Sequence, residues 1–189
     1  TTFRSGWDST NFGPYFVSGA FLAGAGAVIA ALYVLRKFYK LDRYLNDQLF
    51  DRMGKLLVML ALIYLYFNVN EYLVPAYKMK KLDGAHIQEL FTGEFAFMFW
   101  SVQFFGMILP IVVLLFKKGR KPLPSFIIGV FVVIGAWFKR YIIVTPGMAN
   151  PYYPMDNVPK EWLHYTATWP EWSITLASLA GALLVVTIL

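Results

Sequence analysis

The sequence predicts an all-α integral membrane protein with five transmembrane helices. Hydrophobic residues make up 58% of its 189 residues and charged residues only 15%, whereas a water-soluble domain is about 25% charged. Five apolar runs are each long enough to cross about 30 Å of hydrocarbon as a helix. The sequence has no alternating segments of the kind that build a β-barrel, and its lack of cysteine excludes a disulfide-stapled scaffold.

Proline residues mark several ends of the predicted spans. Pro14 lies in the first turn of span one, where a missing N–H costs nothing, and Pro75 closes span two. Pro146 follows span four and Pro170 precedes span five. The five predicted spans are residues 14–35, 55–75, 95–116, 123–145 and 171–189.

The first four spans, within residues 14–145, are expected to form a four-helix transmembrane bundle. Residues 1–13 form an outer N-terminal segment. The outer loop 146–170 is rich in proline and aromatic residues, and we expect it to pack as an ordered cap. The chain begins at Thr1 and ends inside an apolar run, so we expect a segment of a longer polypeptide.

Lysine and arginine in the loops set the expected orientation. Six of them lie in loop 36–55 and four in loop 117–122, against five in the segments on the other side. Because cytoplasmic loops are enriched in these residues, we expect a multi-pass protein with its N-terminus outside. The net charge of +6 then reflects orientation, and the expected surroundings are lipid, with no nucleic acid.

Span one is rich in small residues. Gly19, Ala23, Ala27 and Ala31 recur every four positions, a pattern that allows close packing against a neighbouring helix. The alternative is room for a lipid or quinone tail. Tyr15 lies at the start of this span, where we expect it to join an aromatic belt at the membrane interface.

Span two is the most polar of the five. Tyr64, Asn68 and Glu71 are spaced i, i+4 and i+7, so they share one helical stripe. An ionisable residue within a span is costly unless it is paired or hydrated, which makes Glu71 a candidate for function. Glu71 also lies only about 6 Å below Pro75 along the helix, so solvation at the interface is the alternative.

Span four contains two adjacent cations, Lys139 and Arg140. Adjacent helical residues point about 100° apart, so we expect at most one to face the bundle interior. Spans two and four are predicted to run in the same direction, which places Glu71 and Arg140 at similar depth. We therefore expect a charge pair between them, with Lys139 as the other candidate cation.

The remaining polar residues have weaker signals. Asp51 and Lys55, spaced i, i+4 at the start of span two, indicate helix-start electrostatics or, alternatively, a proton entry point. Pro110 is expected to kink span three. The two histidines have no ligand spacing, and the sequence shows no self-contained catalytic, metal or cofactor site.

Several strings read in order resemble a known family. They are FGPYFVSGAF at 12–21, DRMGKLLVMLALIYLYFNVNEYL at 51–73, GAWFKRYIIVTP at 135–146 and YTATWPEW at 165–172. Together they resemble the C-terminal half of the NrfD/polysulfide reductase membrane subunits. The resemblance is strongest to the ActC and ActF subunits of alternative complex III. It implies a four-helix-bundle-like half of a ten-helix subunit, with the N-terminal helical bundle missing.

The resemblance also implies a setting in the bacterial inner membrane. Members of the family lie beside an iron–sulfur subunit and other membrane subunits, in complexes that use quinone of the menaquinone type, iron–sulfur clusters and haem. The family's quinone pocket is assigned to the N-terminal bundle, so this chain is expected to bind no cofactor itself. Glu71 matches a family glutamate, and Arg140 matches the arginine of a Trp-x-x-Arg element. Lys139 replaces the usual acid, which removes one candidate proton carrier.

Three functions follow as hypotheses. The first is a membrane subunit of a quinol-oxidising respiratory or photosynthetic electron-transfer complex, which scaffolds the complex and conducts protons. The second is the membrane anchor of a molybdopterin/iron–sulfur oxidoreductase. The third is a passive helical scaffold or a transporter half without redox linkage. The polar residues lie mostly near the outer third of the spans, which disfavours transport. The expected proton-path residues are Glu71, Asn68, Tyr64, Asp51 and Lys55.

Overall fold

The computed structural model describes residues 11–78, 81–93, 95–149 and 168–188. Every regular element in these ranges is helical, which confirms the predicted all-α class. One element is a five-residue π-helical segment, named π1 here. The elements are α1 (Phe12–Phe38), α2 (Asp47–Lys78), α3 (Lys81–Thr92), α4 (Ala96–Gln103), π1 (Phe104–Ile108), α5 (Leu109–Leu115), α6 (Pro122–Ala149) and α7 (Trp169–Ile188).

Four helical stretches within the described ranges are long and apolar enough to cross a membrane, so the chain is a multi-pass membrane protein. They are α1, α2, the continuous stretch α4–π1–α5, and the α6 residues Pro122–Thr145. The chain divides into two compact units, residues 1–152 and 153–189. The second unit contains α7, whose residues correspond to the fifth predicted span. That α7 crosses the membrane stays a prediction. Most of segment 1–13 and of loop 146–170 lies outside the described residues.

The turn from α1 to α2 is fixed by a helix cap and two ion pairs. Lys40 adopts a left-handed conformation with φ 53°, and the Leu41 N–H donates to the Arg36 carbonyl at 3.1 Å. This hydrogen bond ends the helix in the way that is usual when a left-handed residue follows its last turn. The Arg36 side chain then binds the carboxylates of Asp42 and Asp47 at 2.7 and 2.8 Å.

Helix α2 differs from its predicted span at both ends. It begins at Asp47, so its first turns precede residue 55, and it continues through Pro75 to Lys78. A proline within a helix removes one backbone hydrogen bond, and a membrane helix tolerates this loss where neighbouring groups satisfy the freed carbonyl. Pro75 therefore does not end the helix, although it marks the predicted end of the span.

Helix α3 occupies the loop predicted between the second and third spans. Leu90 is buried, and it packs with Phe99 of α4 and Ile142 of α6. Ile87, Leu90 and Phe91 are spaced i, i+3 and i+4, which is the pattern of a short amphipathic helix. Three apolar residues in a polar loop are a weak signal, so this helix was not predicted.

The third span contains a π-helical turn just before its proline. The Leu109 N–H donates to the Phe104 carbonyl five residues back, and the buried Pro110 follows immediately. Pro110 has no N–H that could donate to the Gly106 carbonyl. The wider π turn changes the spacing of the backbone hydrogen bonds next to this missing one. Such π segments occur often at functional sites.

Two glycine contacts bring α6 close to its neighbours. A methyl group added to Gly129 would lie 2.7 Å from the carbonyl oxygen of Gly26 in α1, and one added to Gly135 would lie 2.6 Å from the Cα of Gly106 in π1. The buried face of α1 therefore contains Gly26, together with Leu22 and Ile29. Ala27 and Ala31 of the predicted small-residue stripe are exposed instead.

Candidate functional site

Helix α2 contributes the centre of a buried polar cluster. Asn68 is only 4% exposed, and its amide donates to the Gln103 Oε1 at 3.1 Å. The Tyr15 hydroxyl donates to the Asn68 Oδ1 at 3.1 Å, and the Tyr64 hydroxyl donates to the Tyr15 hydroxyl at 3.1 Å. The cluster thus joins α1, α2 and α4 within the apolar interior.

The two tyrosines of this cluster are also stacked. Their ring centroids are 5.0 Å apart, and the rings lie within 5° of parallel. Gly19 makes room for this pair, since a methyl group at Gly19 would lie 3.0 Å from the Tyr64 ring. Tyr15 is only 2% exposed, so it lies in the interior and not in the interfacial belt that the sequence suggested.

Lys139 is the interior cation of α6. Its side chain is buried, and its ammonium donates to the Tyr72 hydroxyl at 2.8 Å. The same nitrogen lies 4.8 Å from the centroid of the Tyr72 ring and 5.2 Å from that of Phe99. Aromatic faces attract a cation more strongly when water is excluded, so these rings stabilise the buried charge. Arg140 is exposed, so only one of these two adjacent cations faces the interior of the bundle.

Glu71 lies in the interior close to this cation. It is 9% exposed, and it directly precedes Tyr72, whose hydroxyl accepts the hydrogen bond from Lys139. Burial of this kind favours a functional or paired carboxylate over one solvated at the interface. The charge pair between Glu71 and Arg140 stays a prediction.

A cavity adjoins the polar cluster. It is lined by residues of α1, α2, α4, π1 and α6, among them Tyr64, Gln103, Lys139 and Arg140, and it encloses about 50 Å³. A water molecule needs about 10–15 Å³ of such space and two to four polar partners. The cavity therefore has room for about three to five water molecules beside the cluster.

The other two predicted proton-path residues lie apart from this cluster. The Asp51 carboxylate binds the Lys55 ammonium and the Arg120 guanidinium, both at 2.6 Å. Asp51 is thirteen residues from Tyr64 on the same helix, which is about 20 Å. The intervening turns bury apolar residues such as Leu57. Because α2 begins at Asp47, Asp51 lies beyond the first turn, where the helix dipole acts most strongly. Asp51 therefore does not have the first-turn position that the sequence suggested, and it forms ion pairs with Lys55 and Arg120.

Two contacts were not predicted from the sequence, that of Arg120 beside the start of α2 and that of Tyr72 in the polar cluster. Arg120 also donates to the carbonyls of Leu114 and Leu115 at 2.8 and 2.9 Å, so it joins the start of α2 to the end of α5. Because Arg120 lies in a basic loop, the sequence indicated only that it helps to set the orientation of the chain in the membrane. Tyr72 lies one position from Glu71, and only the packing of α6 against α2 shows that it binds Lys139. In the part of the chain that the structure describes, no group of acidic or histidine side chains could hold a metal ion.

Comparisons with known proteins agree with one another. A family model described as "Polysulphide reductase, NrfD" matches residues 2–151. The integral membrane subunit of menaquinone reductase from Nitratidesulfovibrio vulgaris is 25% identical over 140 residues, which are 72% of this chain and 32% of that protein. One selenate reductase subunit, from Mesobacillus selenatarsenatis, is 27% identical over 179 residues, which are 92% of this chain and 41% of that protein. The chain thus spans well under half the length of these relatives.

Proposed function

Because the chain belongs to the NrfD family of polysulphide reductase membrane subunits, we propose that it is part of the membrane subunit of a quinone-linked oxidoreductase complex. The observation that supports this most is the family match, which covers all four apolar helices of the first unit. Both relatives are named as parts of reductases. These names favour a redox complex over a passive scaffold or a transporter half.

The finer proposal concerns the reaction and the partners. We place the chain in the bacterial inner membrane with its N-terminus outside, beside an iron–sulfur subunit and other membrane subunits. The complex contains iron–sulfur clusters and haem, and it oxidises a menaquinol as in alternative complex III. Anchoring a molybdopterin/iron–sulfur enzyme is the second candidate, which the similarity to a selenate reductase subunit supports. In both candidate complexes, the quinone binds in a helical bundle outside this segment.

Isolation of the tagged complex from its native membrane tests the redox proposal. We expect the full-length subunit to copurify with polypeptides that show iron–sulfur or haem absorbance. A purified complex without either absorbance would reject the redox function and leave the scaffold or transporter hypotheses.

We further propose that the buried polar cluster conducts protons. Glu71 and Lys139 are ionisable groups buried within the bundle, and such groups in membrane proteins commonly belong to proton relays. Tyr15 donates a hydrogen bond to Asn68, and the cavity lined by Tyr15 and Lys139 provides room for water. Glu71 is the group that takes up and releases the proton, and the positive charge of Lys139 stabilises its ionised form.

The substitution Glu71→Gln tests the proton role. It keeps the size of the side chain and removes its charge, so we expect the complex to assemble and its proton translocation or turnover to fall at least tenfold. Proton release by reconstituted vesicles, measured with a pH-sensitive dye during turnover, gives the readout. Asp51→Asn is the matched control and should leave coupling intact. Unchanged coupling and turnover in Glu71→Gln would contradict the proposal.

A further inference from the structure

Helix α3 lies beside the two aromatic rings that hold the buried ammonium of Lys139. These rings belong to Tyr72 and Phe99, whose centroids are 4.8 and 5.2 Å from the ammonium nitrogen. Phe91 of α3 packs against both rings, with centroid distances of 6.0 Å to Tyr72 and 5.0 Å to Phe99. Rings at such distances attract one another beyond the apolar area that they bury. Phe91 therefore completes an aromatic cluster on one side of the cation.

Two further contacts hold Phe91 in this place. The Trp100 indole N–H donates to the Phe91 carbonyl at 3.3 Å, and the two rings pack edge to face with centroids 5.5 Å apart. The preceding residue, Leu90, is 2% exposed and packs with Phe99 and Ile142. A twelve-residue helix is marginal on its own, so these contacts of its last turn fix α3 on the bundle.

Exposure decreases from Phe91 toward Lys139. Phe91 is partly buried, whereas Phe99 is 2% and Lys139 5% exposed. The Phe91 ring is therefore the outermost of these three groups. Its removal would open a route from the surface of the bundle to Phe99 and to the ammonium.

Lys139 has a different environment on its other side. Its side chain lines the cavity together with Tyr64 and Gln103, and no residue of α3 belongs to the described lining. An ammonium has three N–H donors, one of which binds the Tyr72 hydroxyl. Lys139 thus lies between a space that admits water and an apolar aromatic cluster. Apolar constrictions in membrane proteins stop water and ions by dewetting.

From these contacts we infer that α3 closes one end of the proposed proton path, and that Phe91 is the positioning residue that keeps water from the Lys139–Tyr72 pair on that side. Lys139 then exchanges protons only through the water of the cavity. The closure itself rests on packing alone, whereas its effect on protons rests on the proton-conducting role proposed above. A path open to water at both ends would let protons return without turnover.

Hydroxyl-radical labelling of the purified complex, measured by mass spectrometry, tests the closure. Phe99 is the reporter, because a buried ring is labelled only when water reaches it. Phe91→Ala removes both ring pairs, so we expect the labelling of Phe99 to rise about tenfold. Phe97→Ala is the matched control, because Phe97 is 86% exposed, and it should leave the labelling of Phe99 unchanged. Unchanged labelling of Phe99 in Phe91→Ala would overturn the closure.

A second variant covers the case in which Phe91→Ala does not assemble. Trp100→Phe keeps an aromatic ring and removes the hydrogen bond to the Phe91 carbonyl. We expect it to raise the labelling of Phe99 about threefold. The absence of any rise in this variant would also overturn the closure.

Proton leak separates the closure from the proton role. Vesicles that contain the complex are given a pH gradient without substrate, and a pH-sensitive dye follows its decay. We expect Phe91→Ala to speed the decay about tenfold, and Phe91→Ala combined with Glu71→Gln to restore the unaltered rate. Increased labelling of Phe99 with an unchanged leak would support the closure and reject proton conduction by the cluster. A faster leak that Glu71→Gln does not suppress would overturn the inferred path.

Discussion

At the scale of single residues, Asn68 determines how the polar cluster is assembled. Its side chain joins Tyr15 of α1 to Gln103 of α4 through two hydrogen bonds of 3.1 Å each. A buried polar group that loses its partner costs more than the hydrogen bond itself contributes. Replacement of Asn68 by an apolar residue would therefore remove the acceptor of the Tyr15 hydroxyl and the donor to the Gln103 Oε1.

We expect Asn68→Leu to destabilise the bundle by about 1–3 kcal/mol. The free energy of unfolding, obtained by titrating the detergent-solubilised protein with sodium dodecyl sulfate, measures the effect. Asn70→Leu is the matched control on the same helix. Its amide donates only to a backbone carbonyl one turn back, that of Tyr66, so its loss should change stability by less than about 0.5 kcal/mol. Similar losses in both variants would show that Asn68 has no special role.

The sequence predicted part of this site through helical spacing alone. The i, i+4, i+7 pattern placed Tyr64, Asn68 and Glu71 together because it depends only on the geometry of one helix. Tyr15 and Lys139 depend on how helices pack, which no local pattern contains. The sequence suggested an interfacial role for Tyr15, yet the stacking on Tyr64 draws it inside.

At the scale of elements, the crossing of α1 and α6 depends on two glycines. Without a hydrophobic force between helices in lipid, close backbone approach provides much of their attraction. The small residues of α1 predicted such an approach. Gly19 of the stripe at intervals of four does pack closely, against Tyr64 of α2, whereas Ala27 and Ala31 are exposed. The helix instead buries Leu22, Gly26 and Ile29, because α6 presents Gly129 opposite Gly26.

Gly129→Ala should loosen this crossing. The added methyl group would lie 2.7 Å from the carbonyl oxygen of Gly26, so the helices must separate, at a cost of about 1–3 kcal/mol. Gly24→Ala is the control, since nothing lies within 4 Å of a methyl group there. It should stabilise the helix by up to about 1 kcal/mol. Opposite signs in the same unfolding titration support the packing described, and a stabilising Gly129→Ala contradicts it.

At the scale of the whole molecule, polar groups are concentrated at two levels. One contains the cluster around Asn68, and the other contains the ion pairs of Asp51 with Lys55 and Arg120. An apolar core that includes Leu57 separates them. The five residues expected to form one proton path therefore belong to two sites. Composition and hydropathy predicted the helices, but the separation follows from their packing.

The orientation can be tested directly, because the chain has no cysteine. We expect a cysteine introduced at Lys118 to react with a membrane-impermeant maleimide only after the cells are permeabilised. A cysteine at Thr92 should react in intact spheroplasts. Both positions are exposed, and the expectation follows from the excess of basic residues in the loops around Lys118. The reverse pattern would place the N-terminus in the cytoplasm.

We propose that the chain belongs to a complex that takes electrons from quinol. The most direct measurement is the absorbance of the purified complex before and after a reduced menaquinone analogue is added under anaerobic conditions. We predict that the haem or iron–sulfur absorbance changes to that of the reduced state within the turnover time of the complex. Centres that are present, and that dithionite reduces but the quinol does not, would contradict the claim.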